Sequence, residues 1–282
     1  MKPNDFSSLN RVAGYLYAVM LLIAIPAVVG ARTLTWTGNA SFYNRWSEPD
    51  NWNPSGPPAT GDTLVFPAGF SPDNDMANLQ VHSIQFTGNG STYLSGNPVT
   101  VESDITAANN NGEARVSFDI TFSTGGGTFY CLGSSFLNIE DNVFLGNNLA
   151  LNLYAQGANI QVQGSIQGAA DLVKLGTGDA YLQGTLANTY TGETYVRGGT
   201  LHLAKSANVV AISPKLSVGE NTTVLGSVAD ENPGQYPPVM DVTVGPWGEW
   251  DLNGQTSVTN LSLINGGGGE GHWWLRHFDA GL

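Results

Sequence analysis

The stretch from Leu172 to Leu203 constrains the fold of this chain more than any other part of it. Its apolar residues come in short alternating runs, the period-two pattern of a β-strand, and glycines stand between the runs. Each run is too small to bury its own apolar face and depends on neighbouring runs for a core. The stretch therefore predicts a backbone wound into stacked coils, and it contains no obvious catalytic group.

Similar alternating runs occur through residues 81–265, for example Val116–Phe122 and Val258–Leu263, with turn formers such as Gly125–Gly127 between them. Antiparallel hairpins would give the same local pattern, so only a longer repeat separates a sandwich from a solenoid. Charged residues make up 12% of the chain and there are 36 glycines, which excludes a disordered polyelectrolyte and a helical bundle. The chain is expected to be all-β.

The charge balance limits the possible partners. Ten basic residues against 23 acidic ones give a formal net charge of −13, which repels nucleic acid and anionic lipid. The single Cys131 excludes an intramolecular disulfide and is expected to be a small buried residue. Stability must therefore come from core burial and strand hydrogen bonds.

Residues 1–31 have the layout of a secretory signal peptide. Lys2 and Arg11 precede an apolar run from Gly14 to Val29, and small residues lead to a cleavage site after Ala31. An uncleaved anchor is the alternative, although the run is short for a membrane span. The chain is expected to be exported and to cross the inner membrane only in that step.

Residues 32–80 form an aromatic-rich segment, interpreted as an N-terminal cap with the first strands. Its rings can either cover the open end of a core or stack on sugars, because both tasks need large flat apolar area. Trp46 and Trp52 are the candidates for glycan contact. Three acidic residues in turns are expected to be solvated: Glu48, Asp50 and Asp62.

A family resemblance rests on a set of spaced residues in the opening stretch. They are Lys174, Gly176, Gly178, Gly184, Asn188, Tyr190, Thr191, Gly192, Gly199, Leu201 and Leu203. This pattern resembles the autotransporter-associated β-strand repeat, also called the passenger-associated transport repeat. Trp36–Phe66 and Asp251–Gly254 resemble other parts of such proteins, whereas Ala180 and Glu193 depart from the pattern.

The resemblance implies an all-β parallel β-helix, or solenoid, of the passenger type, extending over residues 81–265 with its repeat at 172–203. Side chains alternate across each strand, so two sets of facings follow. Thr194, Val196, Leu201 and Leu203 should face inward, and Tyr195, Arg197 and His202 outward. Glycines at corners should adopt φ values unfavourable to other residues: Gly176, Gly178, Gly184, Gly192, Gly198 and Gly199.

Residues 266–282 differ in composition from everything before them and are expected to be a disordered tail. An outer-membrane barrel needs many alternating strands of about ten residues. Because so few residues follow Asn265, no such barrel is expected in this chain.

No catalytic, cofactor or metal site is predicted. His82, His202, His272 and His277 do not follow a zinc spacing, and calcium between coils is the one ion considered. Two carboxylates on adjacent coils could act as acid and base on a polysaccharide. The candidates in the repeat region are Asp171, Asp179 and Glu193.

These features predict an exported, non-catalytic β-helical repeat protein that acts as a structural or adhesin-like passenger. It would reside at the cell surface, in the medium or in the periplasm of a Gram-negative bacterium, and its partner would be extracellular matrix or a glycan surface. The alternative is a carbohydrate-active β-helix that binds or cleaves polysaccharide.

Overall fold

The computed structural model describes residues 31–41, 44–123, 125–146, 150–220, 222–251, 258–264 and 274–276. This part of the chain is a parallel β-solenoid of about 9 turns, which confirms the predicted fold class. A single 3-10 turn, Pro49–Asn51, is its only described helical element, and no described helix could span a membrane. The predicted signal peptide lies outside the described residues except for Ala31.

The strands in chain order are β1 (Thr33–Trp36), β2 (Trp52–Asn53), β3 (Thr63–Pro67), β4 (Asp73–Asn74), β5 (Leu79–Thr87), β6 (Thr92–Gly96), β7 (Val99–Ala107), β8 (Glu113–Ser117), β9 (Ile120–Phe122), β10 (Gly127–Leu132), β11 (Phe136–Ile139), β12 (Val143–Leu145), β13 (Ala150–Gln156), β14 (Asn159–Val162), β15 (Ile166–Gly168), β16 (Asp171–Leu175), β17 (Asp179–Gly184), β18 (Thr194–Val196), β19 (Gly199–Lys205), β20 (Lys215–Val218), β21 (Gly226–Asp230), β22 (Met240–Val244), β23 (Gly248–Asp251), β24 (Val258–Leu263) and β25 (Trp274–Arg276).

Two sheets form the walls of the solenoid. The path of the first sheet runs β2-β1-β3-β5-β7-β10-β13-β16-β18-β20-β22-β24, and the second runs β4-β6-β8-β11-β14-β17-β19-β21-β23-β25. A shorter face adds β9, β12 and β15, which pair with one another beside β7. Apart from the antiparallel pair β1 and β2, the described strands pair in parallel. The chain thus winds from wall to wall instead of folding back in hairpins.

The interior is filled by side chains in register on successive turns. In the first sheet, Leu172 aligns with Thr194, then with Leu216 and Val242, and all four are buried. The predicted facings are confirmed: the four residues expected to face inward are buried, and Tyr195, Arg197 and His202 are partly exposed. From β7 to β24, paired positions in the first sheet recur every 18 to 26 residues.

Aromatic side chains fill the core at the N-terminal end. Trp36, Trp46, Trp52 and Phe66 are at most 2% exposed, and the Trp46 and Trp52 rings meet edge-to-face at 6.2 Å. Trp52 Nε1 also donates to the backbone oxygen of Trp46 at 2.8 Å. The proposed glycan contact at Trp46 and Trp52 is therefore wrong, because the core leaves neither ring a face for a sugar.

Asp62 corrects a second expectation for this segment. Its carboxylate is buried and accepts a hydrogen bond from Arg32 Nη2 at 2.6 Å and others from the backbone N–H groups of Arg32 and Ala59. Burial alone would raise the pKa of Asp62, but these hydrogen bonds and the Arg32 charge outweigh it and lower the pKa. Asp62 thus ties the first turn to the second, whereas Asp50 is exposed as expected.

The tail also departs from its prediction at one place. Trp274–Arg276 forms β25, which pairs in parallel with β23 and extends the second sheet. These three residues are therefore ordered by strand pairing and not disordered. The other residues of 266–282 lie outside the described residues.

Candidate functional site

The repeat motif residues are used to wind and stack the solenoid. Lys174 is fully buried, and its Nζ donates to the backbone oxygens of Leu175, Gly176 and Gly198 at 2.8, 3.2 and 2.9 Å. Burial lowers the pKa of Lys174 to about 8, and the charge of Asp179 acts in the opposite direction. The ammonium thereby joins backbone carbonyl groups from two turns at this corner.

Glycine is required in the motif for two different reasons. Gly199 has φ of +63°, a left-handed conformation, as expected for a corner, and Gly176 and Gly184 share this property. Gly178 does not, but a Cβ there would lie 2.2 Å from the backbone oxygen of Ala158 on the preceding turn. The predicted φ was therefore wrong for Gly178, Gly192 and Gly198. Close approach of two backbones excludes a side chain at Gly178 and Gly192, and at Gly198 a Cβ would make a tight contact 3.0 Å from the Gly176 oxygen.

Asn188 connects neighbouring turns, and Tyr190 is held within its own turn. Asn188 Oδ1 accepts from the Ile166 backbone N–H at 2.9 Å, and its Nδ2 donates to the backbone oxygen of Ala211 at 2.7 Å. The Asn188 side chain thus joins three turns of the solenoid. The buried Tyr190 hydroxyl lies 2.6 Å from Thr194 Oγ1, which in turn lies 3.4 Å from Ser213 Oγ on the next turn, so both side chains have structural roles. Thr191, by contrast, is exposed and contributes through its backbone.

A second buried lysine was missed by sequence reasoning. Lys205 is fully buried, and its Nζ donates to the backbone oxygens of Gly164 and Gln183 at 3.1 and 2.7 Å. Burial lowers its pKa to about 8. Gln235 holds the Lys205 backbone through its side-chain amide. No glycine pattern like that after Lys174 follows Lys205, so the sequence carried no signal for this corner.

The outer face of the second sheet presents a column of polar and aromatic side chains. Strand register places them one above another on successive turns, and we call this column the polar ladder: Tyr93, Arg115, Asn138, Gln161, Tyr181 and His202. Adjacent strands lie about 4.8 Å apart, so the six positions span about 24 Å. Five of the six side chains are at least partly exposed, whereas Asn138 is buried within the column.

Charged groups at the first end of the polar ladder are paired with one another. Arg115 donates to both carboxylate oxygens of Glu113 at 3.1 Å, and its Nε lies 3.5 Å from Glu140. The guanidinium also lies over the Tyr93 ring, 4.8 Å from its centroid. Asn138 joins this group by donating to Glu113 at 2.9 Å.

A histidine flanked by two carboxylates lies at the other end. His202 Nδ1 is 2.7 Å from Glu231 Oε1, and Nε2 is 3.9 Å from Asp179 Oδ2. The imidazole also stacks on the Tyr181 ring, with centroids 4.2 Å apart and planes 10° from parallel. Sequence reasoning predicted only that His202 faces outward, because its three neighbours come from other turns.

The carboxylates considered for acid–base chemistry do not form one group. Asp171 begins a strand of the first sheet and accepts from the Glu193 backbone N–H at 2.8 Å, while Glu193 accepts from the Tyr195 hydroxyl at 3.0 Å. Asp179 begins a strand of the second sheet. Asp171 and Glu193 lie on adjacent turns of the same wall, whereas Asp179 belongs to the other wall, so the three carboxylates do not converge. An acid–base role for two of them stays a prediction. In the part of the chain that the structure describes, no three His, Cys, Asp or Glu side chains converge on a metal position.

Cys131 matches its expectation. The thiol is fully buried and donates to the backbone oxygen of Asn159 at 3.2 Å. Burial raises the pKa of Cys131 to about 12. The thiolate is therefore strongly disfavoured, and the residue acts as a small apolar side chain.

One cavity adjoins the outer face of the second sheet. It has a volume of about 300 Å³, its wall is formed by the exposed Val224 and Leu225, and polar groups of Thr200 and Ser227 line its floor. Thr200 and Ser227 are paired with each other, and Thr200 with Asp179, so the cavity borders the His202 end of the polar ladder.

Searches of protein-family models, curated proteins and solved structures found no match. The chemistry of the site therefore has to be inferred from its own residues. The described outer face offers paired charges, stacked rings and side-chain amides on a flat wall, with a shallow cavity at one end.

Proposed function

We propose that this chain is a non-catalytic passenger of the autotransporter-associated repeat type. It is exported by a Gram-negative bacterium and acts as a structural or adhesin-like solenoid at the cell surface, in the medium or in the periplasm. The proposal rests on one observation about the repeat. Its motif residues hold the turns together, and its outward-facing residues are available for contact with a partner.

The motif side chains already use their polar groups in hydrogen bonds that hold the fold. Lys174 donates to three backbone carbonyls, Asn188 is occupied by hydrogen bonds between turns, and the Tyr190 hydroxyl is occupied by Thr194 of its own turn. Residues held in this way cannot act as nucleophile or general base without losing a contact that the fold uses. The motif therefore supports a role in winding.

The outward-facing residues support a role in binding a partner. The polar ladder runs across the turns, so a partner lying along it would touch several turns at once. Weak contacts repeated along one rigid support add up through effective concentration. Extracellular matrix or a glycan surface provides the repeated partner that such a display requires.

Export is tested by producing the full chain with a C-terminal tag in a Gram-negative host and separating cytoplasm, periplasm, surface and medium. We expect the exported form to begin at Arg32, and Edman sequencing of that form reads its first residues. A chain that remains in the cytoplasm with Met1 intact would refute export.

Absence of catalysis is tested by incubating the purified chain with acidic and neutral polysaccharides and measuring reducing ends and unsaturated products. We expect neither to accumulate. Product release that Asp179→Asn or Glu231→Gln abolishes would overturn the non-catalytic assignment, because these carboxylates flank His202.

A further inference from the structure

Three side-chain amides around the Tyr181 and His202 rings lack hydrogen-bond partners. Gln161 is the register partner of Tyr181, Asn159 is the partner of Asp179, and Gln183 follows Tyr181 on the same face. None of the three side chains makes a hydrogen bond within the described residues, whereas Asn138 and Gln163 on the same wall bond to each other at 2.8 Å. The wall thus offers amide donors and acceptors next to a flat pair of rings.

The charges on this wall disfavour an ionic ligand. Arg115 is held by Glu113 and Glu140, and His202 lies between Glu231 and Asp179. An anionic ligand would meet the carboxylates, and the chain as a whole carries a formal charge of −13. A cationic ligand would have to compete with the arginine and histidine for those same oxygens.

The amides favour a ligand that is rich in hydroxyl groups. A primary amide presents two N–H donors and one carbonyl acceptor, and a hydroxyl group is likewise both donor and acceptor, so the two match without any charge. The Tyr181 and His202 rings cover one face of each other, and their remaining surface can contact the C–H groups of such a ligand. A peptide partner would instead pair with a free strand edge, which a wall lined only by side chains lacks.

The shape of the wall favours an extended ligand. The polar ladder crosses the strands over about 24 Å and repeats about every 4.8 Å. The cavity of about 300 Å³ is lined by Thr200 and Ser227, and Thr200 lies two residues before His202 on the same strand, so the cavity is next to the His202 end. A chain of linked rings can therefore lie along the column and end in the cavity.

We infer that the outer face of the second sheet is a binding site for a neutral polysaccharide, which lies along the polar ladder and is held by the unpaired amides and the Tyr181–His202 pair. This inference rests on the proposed contact function and gives its partner a chemical class. It requires no catalysis.

Affinity electrophoresis tests the inference. The purified full chain is run in native gels containing dextran, galactomannan or a soluble mixed-linkage β-glucan, and in parallel gels with polygalacturonate or chitosan. We expect retardation by at least one neutral polymer and none by polygalacturonate. No retardation by any neutral polymer, or retardation by a charged polymer alone, overturns the inference.

Two variants locate the site, and one control sits on the opposite wall. Tyr181→Ala and Gln161→Ala should each lower the association constant about tenfold, since one aromatic or hydrogen-bonding contact is worth about 1.4 kcal/mol. Tyr130→Ala removes a similarly placed tyrosine of the first sheet, which packs 5.5 Å from Tyr154, and should leave binding unchanged. Equal loss in Tyr181→Ala and Tyr130→Ala would place binding elsewhere.

Folding of each variant is checked by far-ultraviolet circular dichroism. Gln161 is a partly exposed side chain without a partner, so its truncation tests binding even if Tyr181→Ala were to unfold. The inference and the proposed function fail in distinguishable ways. Loss of glycan retention with correct export refutes only the ligand, whereas a cytoplasmic chain that is retained by glucan refutes only the exported passenger.

Discussion

The N-terminal end and the repeat region fill the interior of the solenoid with different kinds of side chain. At the N-terminal end, four aromatic side chains fill the interior and pack edge-to-face, with Trp46 and Trp52 at its centre. In the repeat, smaller residues such as Leu201 and Ala180 face inward, and Lys174 and Asn188 join the turns through backbone carbonyls. An end must cover apolar area that no further turn covers, whereas a middle turn must match its neighbours on both sides.

The largest expected effect tests whether a middle turn depends on its neighbours. Leu201→Asn should destabilise the chain by about 5 kcal/mol, because it removes leucine packing and buries an unpaired amide. His202→Asn introduces the same side chain at the next position. It should lower the free energy of unfolding by less than about 1 kcal/mol, since this position faces outward. Urea unfolding followed by circular dichroism measures both. Similar losses would contradict the assigned facing.

The second effect tests the aromatic end. Trp46→Ala should cost about 3 to 5 kcal/mol, as expected for deleting a fully buried tryptophan side chain. Trp247→Ala is the matched control, because Trp247 is 38% exposed and should cost less than about 1 kcal/mol. Both are read from urea midpoints. If the two variants were equally stable, the end would not rely on aromatic packing.

The third effect tests the hydrogen bonds between turns in the repeat. Asn188→Ala should cost about 2 to 3 kcal/mol, because it leaves the Ile166 N–H and the Ala211 carbonyl without their side-chain partner. Thr191→Ala changes an exposed side chain of the same motif and should be close to neutral. Amide hydrogen exchange at Ile166 would show the local loss. Unchanged protection there would argue against a bridge.

The smallest effect is a pH dependence at the Lys174 corner. Its pKa is about 8 in the folded chain and about 10.5 when unfolded, so between these values the unfolded chain holds more protons and stability rises with pH. Below pH 8 both states are protonated and this gain is absent. From pH 7 to pH 9.5, the free energy of unfolding of the native chain should rise by about 1 to 2 kcal/mol relative to Lys174→Met.

The comparison with Lys174→Met is needed because Cys131 and Tyr190 have raised pKa values and oppose this trend at alkaline pH. Both groups are the same in the two chains and cancel in the difference. Urea titrations at the two pH values give the four free energies. A constant difference would mean that Lys174 keeps its proton equally in both states.

The winding and the facing could be predicted from the sequence because they depend on local spacing. Alternation in Thr194–Val196 and around Leu201 fixes which side chains point inward once the strands are recognised. The resemblance of the repeat added the choice of parallel coils over hairpins. These are properties of consecutive residues.

The composition of the site could not be predicted, because it depends on which residues of distant turns share a register. Glu231 lies 29 residues from His202 in the chain, and the connections between turns vary in length, so no spacing rule brings the two together. The buried carboxylate of Asp62, with its ion pair to Arg32, and the buried Lys205 were missed for the same reason. Their partners belong to other turns, and turn-forming neighbours made Asp62 resemble a solvated residue.

The parallel register of the walls has a mechanical consequence. Every hydrogen bond between strands of the two walls points along the solenoid axis, so a pull on the chain at one end loads the ladder of a single turn at a time. The solenoid should therefore lengthen under force in separate steps, each releasing the 18 to 26 residues of one turn between β7 and β24. With about 9 turns in series, the chain can extend under repeated pulling because one turn unfolds while the remaining turns stay folded.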